Sequence, residues 1–133
     1  MLNPFPELLT FSFFAPFLLR LALAVFFLSA AQFHFDNRKK ISDEIAKKWG
    51  SLGKASARVG SLVEFIIAIL LLAGFYTQYA ALLAIIVIAK MLFFKRTYPL
   101  IAYQSVWAYV FALVIAISLL ITGAGAFAFD IPL

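Results

Sequence analysis

Apolar residues fill long stretches of this chain, and polar residues interrupt them in only a few places. No lysine or arginine lies between Val59 and Ala89, nor anywhere after Arg96. A helix rises about 1.5 Å per residue, so roughly twenty apolar residues cross a hydrocarbon layer of about 30 Å. Four runs approach that length, at 16–35, 59–75, 79–94 and 101–121. The expected architecture is all-α: an integral membrane four-helix bundle forming a single domain over 1–133.

The connections refine this picture. Residues 5–14 are rich in phenylalanine and precede Pro16. They form either a separate interfacial helix or an early part of the first span kinked at the proline. The segment 36–58 carries seven basic and three acidic side chains. Ile41, Ile45, Trp49 and Leu52 recur in it at helical spacing with Lys40, Lys47 and Lys54 off the stripe, so an amphipathic surface helix and a solvated loop are both open readings. Only Tyr76-Thr77-Gln78 separates the second and third spans, which forces a tight antiparallel hairpin. Lys95-Arg96 and Pro99 precede the fourth span, and Gly123-Ala-Gly125 ends it.

With four spans, the loops after the first and third share a side, and they hold nearly all the loop lysines and arginines. The positive-inside rule makes that side cytoplasmic and places both termini on the outer side. Residues 1–10 carry Glu7 and no basic residue, so they lack the positive region of a cleaved secretory signal and are expected to remain in the mature protein.

Composition agrees: 65% of the 133 residues are hydrophobic and only 13% charged, against the roughly 25% charge of a soluble domain. Lipid is therefore the expected solvent of the exterior. The net charge of +5 sits beside apolar spans, where anionic headgroups rather than nucleic acid are the natural counter-charges. With no cysteine, the chain has no thiolate nucleophile, disulfide relay, iron–sulfur ligand or zinc-thiolate site. Gly50-Ser-Leu-Gly53-Lys54 falls short of phosphate-loop spacing and follows no strand.

A charge near the bilayer centre costs about 2.5 to 3.5 kcal/mol on insertion scales, so Arg20, Glu64 and Lys90 are the informative positions. Glu64 lies about one turn inside the second span and Lys90 about one turn before the end of the third. They are expected at similar depth, within reach of a salt bridge or a single water. Gln32 and His34 close the first span and Gln104 enters the fourth, so every span offers a polar group to one layer. Gln32, His34, Glu64, Lys90 and Gln104 are the candidate ligand-binding set; a structural fastening of the helices is the other reading. His34, the only histidine, is a poor metal or haem ligand on its own, and no metal site is expected. At the opposite end Arg20 either pairs with Asp130, closing the bundle, or snorkels to the interface. No catalytic constellation is present in the spans.

Three stretches resemble the DoxX family of small bacterial and archaeal membrane proteins. Arg20-Leu-Ala-Leu-Ala-Val-Phe-Phe-Leu is similar to the family's opening arginine and apolar span. Glu64-Phe-Ile-Ile-Ala-Ile-Leu-Leu-Leu-Ala-Gly74-Phe-Tyr-Thr77-Gln78-Tyr-Ala-Ala81 resembles its glutamate, leucine run, glycine and turn. Gly123-Ala-Gly125-Ala-Phe-Ala-Phe-Asp130 resembles its ending. The family usually has arginine where Gln78 and Ala126 stand, so an outer anionic site built on those arginines does not carry over. The resemblance implies a four-helix bundle in a prokaryotic cell membrane, associated with quinone-linked or oxidative-stress complexes.

Two functions follow as expectations. The first is a non-enzymatic subunit of a membrane redox complex that holds a quinone or lipid headgroup near Glu64 and Lys90. Its expected partners are membrane lipids, a redox protein and a second copy of the chain, and no cofactor is covalently bound. The second is a small proton- or cation-coupled transporter using Glu64, favoured if Glu64 is titratable and free of Lys90.

Overall fold

In the computed structural model, which describes residues 4–130, a 3-10 helix, Pro6–Phe11, leads into five α-helices: α1 Phe14–Asp36, α2 Arg38–Trp49, α3 Ser51–Ala73, α4 Thr77–Phe94 and α5 Val106–Thr122. The terminal residues 1–3 and 131–133, whose side of the membrane is part of the topology expected above, lie outside the described residues. The 3-10 helix is separate from α1, and Pro16 falls in the first turn of α1, where its missing N–H is no loss. That resolves the 5–14 segment in favour of a distinct short element.

The four long helices close a ring in which α1 packs on α3, α3 on α4, α4 on α5 and α5 on α1, each neighbour antiparallel. Small residues line the seams. Ala24, Ala68, Ala80, Ala84 and Ala116 are fully buried, letting backbones approach as membrane helices require. Phe27, Ile67, Leu71, Ile88 and Leu119 fill the space between them. The outward faces are apolar too: Phe65 and Ile69 on α3, Leu82 and Ile86 on α4, and Phe111 and Val114 on α5 are exposed. Such a surface is stable only against hydrocarbon.

Two helices start at positions other than the first residues of the expected spans. α3 begins at Ser51, ahead of the expected span at 59–75, because its polar first turns, Lys54 to Arg58, are already helical before the apolar run. α5 begins at Val106 rather than 101. Ser105 caps it, its side chain accepting the Ala108 N–H at 3.2 Å, and residues 95–105 form an irregular connection. At 17 residues α5 is about 25 Å long, a little short of the hydrocarbon layer.

The segment 36–58 holds a helix rather than a solvated loop. Ile41 and Ile45 of α2 are buried against α3, while Trp49 and Leu52 remain exposed. Gly53 permits this packing, since a Cβ there would lie 2.6 Å from the Ile45 side chain and 2.9 Å from its carbonyl.

Candidate ligand-binding site

On α1 the buried positions Arg20, Leu23, Phe27, Ala31 and His34 recur every three or four residues. Arg20 and His34 therefore cap the two ends of one core-facing stripe, about 21 Å apart along the axis. Glu64 begins the corresponding buried stripe of α3. Antiparallel packing of α1 on α3 brings His34 and Glu64, 7% and 2% exposed, into contact at 2.6 Å between Nδ1 and Oε2.

The second ring nitrogen fixes the proton count. His34 Nε2 lies 2.8 Å from the Ile101 carbonyl oxygen, which can only accept, so Nε2 carries a hydrogen. One further proton must then lie between Nδ1 and Oε2. It belongs to an imidazolium facing a carboxylate or to a carboxylic acid facing a neutral imidazole. In both descriptions the pair is neutral overall, which limits the cost of burying it.

The irregular 95–105 segment is held so as to present that carbonyl. Lys95 Nζ donates to the carbonyls of Ala102, at 2.7 Å, and Gln104. Tyr103 stacks on Phe33 with ring centroids 3.9 Å apart and meets His34 edge-on. The Gln104 amide donates to the Tyr103 hydroxyl at 3.1 Å. Gln104 thus supports the histidine from behind.

Beside the pair opens a cavity of about 330 Å³ at the end of the bundle that carries α2. Ile41, Ile45 and Trp49 of α2 form its outer wall, and the Trp49 indole N–H donates to Tyr98 Oη at 3.3 Å, joining α2 to the 95–105 segment. Gly53, Ala57 and Gly60 of α3 leave the space, and Lys90 and Phe94 complete it from α4.

Of the five candidate residues, His34, Glu64 and Lys90 share this cavity. Gln32 is exposed and lines a neighbouring groove; Gln104 contributes through Tyr103. Of the two expected forms of Glu64–Lys90 contact, a salt bridge or a single bridging water, the direct salt bridge is not formed: His34–Glu64 is the only salt bridge among the described residues, and Lys90 is exposed on the same cavity. The reason is geometric. α1 is as much an antiparallel neighbour of α3 as α4 is, and its buried stripe ends at Glu64's depth. Equal depth alone does not choose between the two. Trp49, Tyr98 and the Ile101 carbonyl were missed by sequence reasoning; the spacing of Trp49 on the α2 stripe was the available signal.

For Arg20 the two open readings are a pair with Asp130 and snorkelling to the interface; the two charges lie close enough to attract each other, yet their hydrogen bonds go elsewhere. Arg20, 1% exposed, donates to the carbonyls of Ala124, Phe127 and Ala126 at 2.9, 2.8 and 3.4 Å. Asp130 accepts the backbone N–H groups of Tyr76 and Thr77, each at 2.6 Å, capping α4. Both residues tie down the chain after α5, but by separate bonds. Gly74 lies between them with φ +65°, where a Cβ would strike the Arg20 guanidinium and Ala128. For Asp130, burial acts to raise the carboxyl group, but the Thr77 and Tyr76 N–H groups and the Arg20 charge outweigh it and hold it below its ordinary value.

No group of three or more His, Cys, Asp or Glu side chains able to hold a metal ion is found among the described residues. A helical bundle with apolar outer faces and a buried ionisable pair beside a cavity defines an integral membrane protein. The DoxX family profile matches residues 15–96, well over half the chain, and the chain belongs to the DoxX family. The match includes His34, Glu64 and Lys90 and ends before α5 and the Gly123 to Asp130 stretch. No curated protein and no solved structure gives a significant match.

Proposed function

We propose that this protein is a non-enzymatic subunit of a redox or oxidative-stress assembly in a prokaryotic cell membrane, and that it holds a quinone ring in the cavity beside His34 and Glu64. The observation that carries the reading is the joining of a proton-holding pair and the Lys90 cation on the rim of one apolar cavity. A quinone is a flat apolar ring with carbonyl acceptors on opposite edges. Lys90 can donate to one, Trp49, Phe94 and Tyr98 supply aromatic walls, and the surrounding apolar faces suit a prenyl tail. The chain has no cysteine and one histidine, so electrons must come from a partner protein.

The test is titration of the detergent-purified protein with a short-tailed quinone, following melting temperature and Trp49 fluorescence in a Trp107→Phe background. Saturable quenching with a rise in melting temperature, both lost in Lys90→Met and in Glu64→Gln, is the expected result. Quenching that is identical in the variants removes the site from the proposal. Co-purification from native membranes separately identifies the redox partner.

A second reading, proton- or cation-coupled transport, is favoured by one observation: Glu64 pairs with His34 and leaves Lys90 outside the bond. A shared, displaceable proton beside a cavity is the minimum an exchange site needs. In proteoliposomes under a pH gradient, cation flux that disappears in Glu64→Gln supports it, and flux equal to empty vesicles dismisses it.

A further inference from the structure

The second groove runs along the α1–α3 seam, between the last turns of α1 and residues 58–65 of α3, with the start of α2 at its end. Gln32, Arg38 and Arg58 stand at it, and Leu28, Leu62 and Phe65 form its apolar length; the space is about 980 Å³. Neither guanidinium has a carboxylate within salt-bridge distance, and no acidic residue lines the groove. Arg38 lies over the Phe35 ring at 4.5 Å, which fixes its charge at the groove's rim. Both arginines and Gln32 are exposed.

We propose that this groove binds an anionic phospholipid, its phosphate between Arg38 and Arg58 and one acyl chain along Leu28, Leu62 and Phe65. The charge pattern selects the occupant. Two unpaired cations over a hydrocarbon-facing trough require a molecule with an anion at one end and an apolar remainder, and the guanidinium fork matches phosphate oxygens. From Phe35 back to Leu28 the α1 wall runs about 10 Å, inside the apolar half-thickness of one leaflet, about 15 Å. Gln32, which does not reach the His34 cavity, is placed to bond a headgroup oxygen. The proposal is independent of the quinone reading, since the groove shares only Ser61 with that cavity.

The experiment is native mass spectrometry of the full chain in a zwitterionic detergent, titrated with phosphatidylglycerol or phosphatidylcholine of matched chains, with melting temperature read in parallel. Wild type is expected to retain phosphatidylglycerol preferentially. Replacing one arginine by glutamine should weaken that binding about fivefold, and R38Q with R58Q roughly 25-fold. K47Q with K48Q, which removes equal charge from α2, should leave it within about twofold, as a site rather than a diffuse field requires. The proposal is overturned if wild type retains both lipids equally, if the arginine double variant keeps the preference, or if the lysine variant loses as much. Inorganic phosphate producing the same thermal shift would likewise overturn it, by removing the role of the acyl chain. The wild-type comparison of the two lipids decides even if an arginine variant fails to fold.

Discussion

At the scale of single residues, the His34–Glu64 pair shows what depth reasoning can and cannot provide. That Glu64 must be neutralised is legible from one carboxylate inside an apolar run; which residue does so is not, because two antiparallel neighbours offer a base at the same level. The structure chooses the one whose other nitrogen also has an acceptor, the Ile101 carbonyl. Removing one member of a buried pair strands the other, which costs about 3 to 5 kcal/mol, whereas apolar replacement of both is often nearly neutral. His34→Phe is therefore expected to be destabilising in detergent, and His34→Phe with Glu64→Leu to recover most of the loss. Lys90→Met, at an exposed position, should cost little. Equal losses in the single and double His34 variants would show that the two residues are not coupled.

Asp130 gives a residue-scale prediction in pH. Its folded value is lowered from the ordinary 3.8, so the carboxylate stabilises the fold fully above that value, and the contribution is lost as pH falls below it through the folded value. The gap in melting temperature between wild type and Asp130→Asn should be constant above about pH 5 and close progressively below it. A gap that widens on acidification would contradict the cap on Tyr76 and Thr77.

Among the elements, α1, α3 and α4 were legible because their apolar runs are long and end at Asn37, Gly74 and Lys95. The start of α5 was not, since hydropathy stays high from Ile101 while the chain there is spent on supporting His34. The signal that fixes it is local: Ser105 as cap. Ser105→Ala should lose about 1 kcal/mol by leaving the first-turn N–H groups unsatisfied, measurable as a lowered unfolding midpoint. The α2 stripe was legible as an alternative only, because its burial depends on the partner face that Gly53 opens. Gly53→Leu would drive a side chain into Ile45, and overpacking of this kind costs about 1 to 3 kcal/mol. It should lift α2 from α3 and red-shift Trp49 emission in the Trp107→Phe background. Unchanged emission and stability would show that α2 does not depend on this contact.

Across the whole molecule, the two ends of the bundle differ in kind. One carries α2, the basic start of α3, Lys95 and Arg96, with both grooves opening there. At the other, the segments before α1 and after α5 meet through the Ala126 N–H and the Phe13 carbonyl, 3.0 Å apart, so both approach the same side. The single basic residue of that end, Arg20, is engaged by three carbonyls and adds no loop charge. The asymmetry that drives insertion therefore rests wholly on the α2 end, and the topology we propose puts that end in the cytoplasm and both termini outside. The absence of cysteine makes a direct test available, because each introduced thiol is the only one in the chain. Ser51→Cys, exposed at the start of α3, should resist a membrane-impermeant thiol reagent in intact cells and react after permeabilisation. Gln78→Cys, exposed one residue beyond the buried Thr77, should react in intact cells. The opposite labelling would invert the bundle, and with it the leaflet from which the Arg38–Arg58 groove draws its lipid.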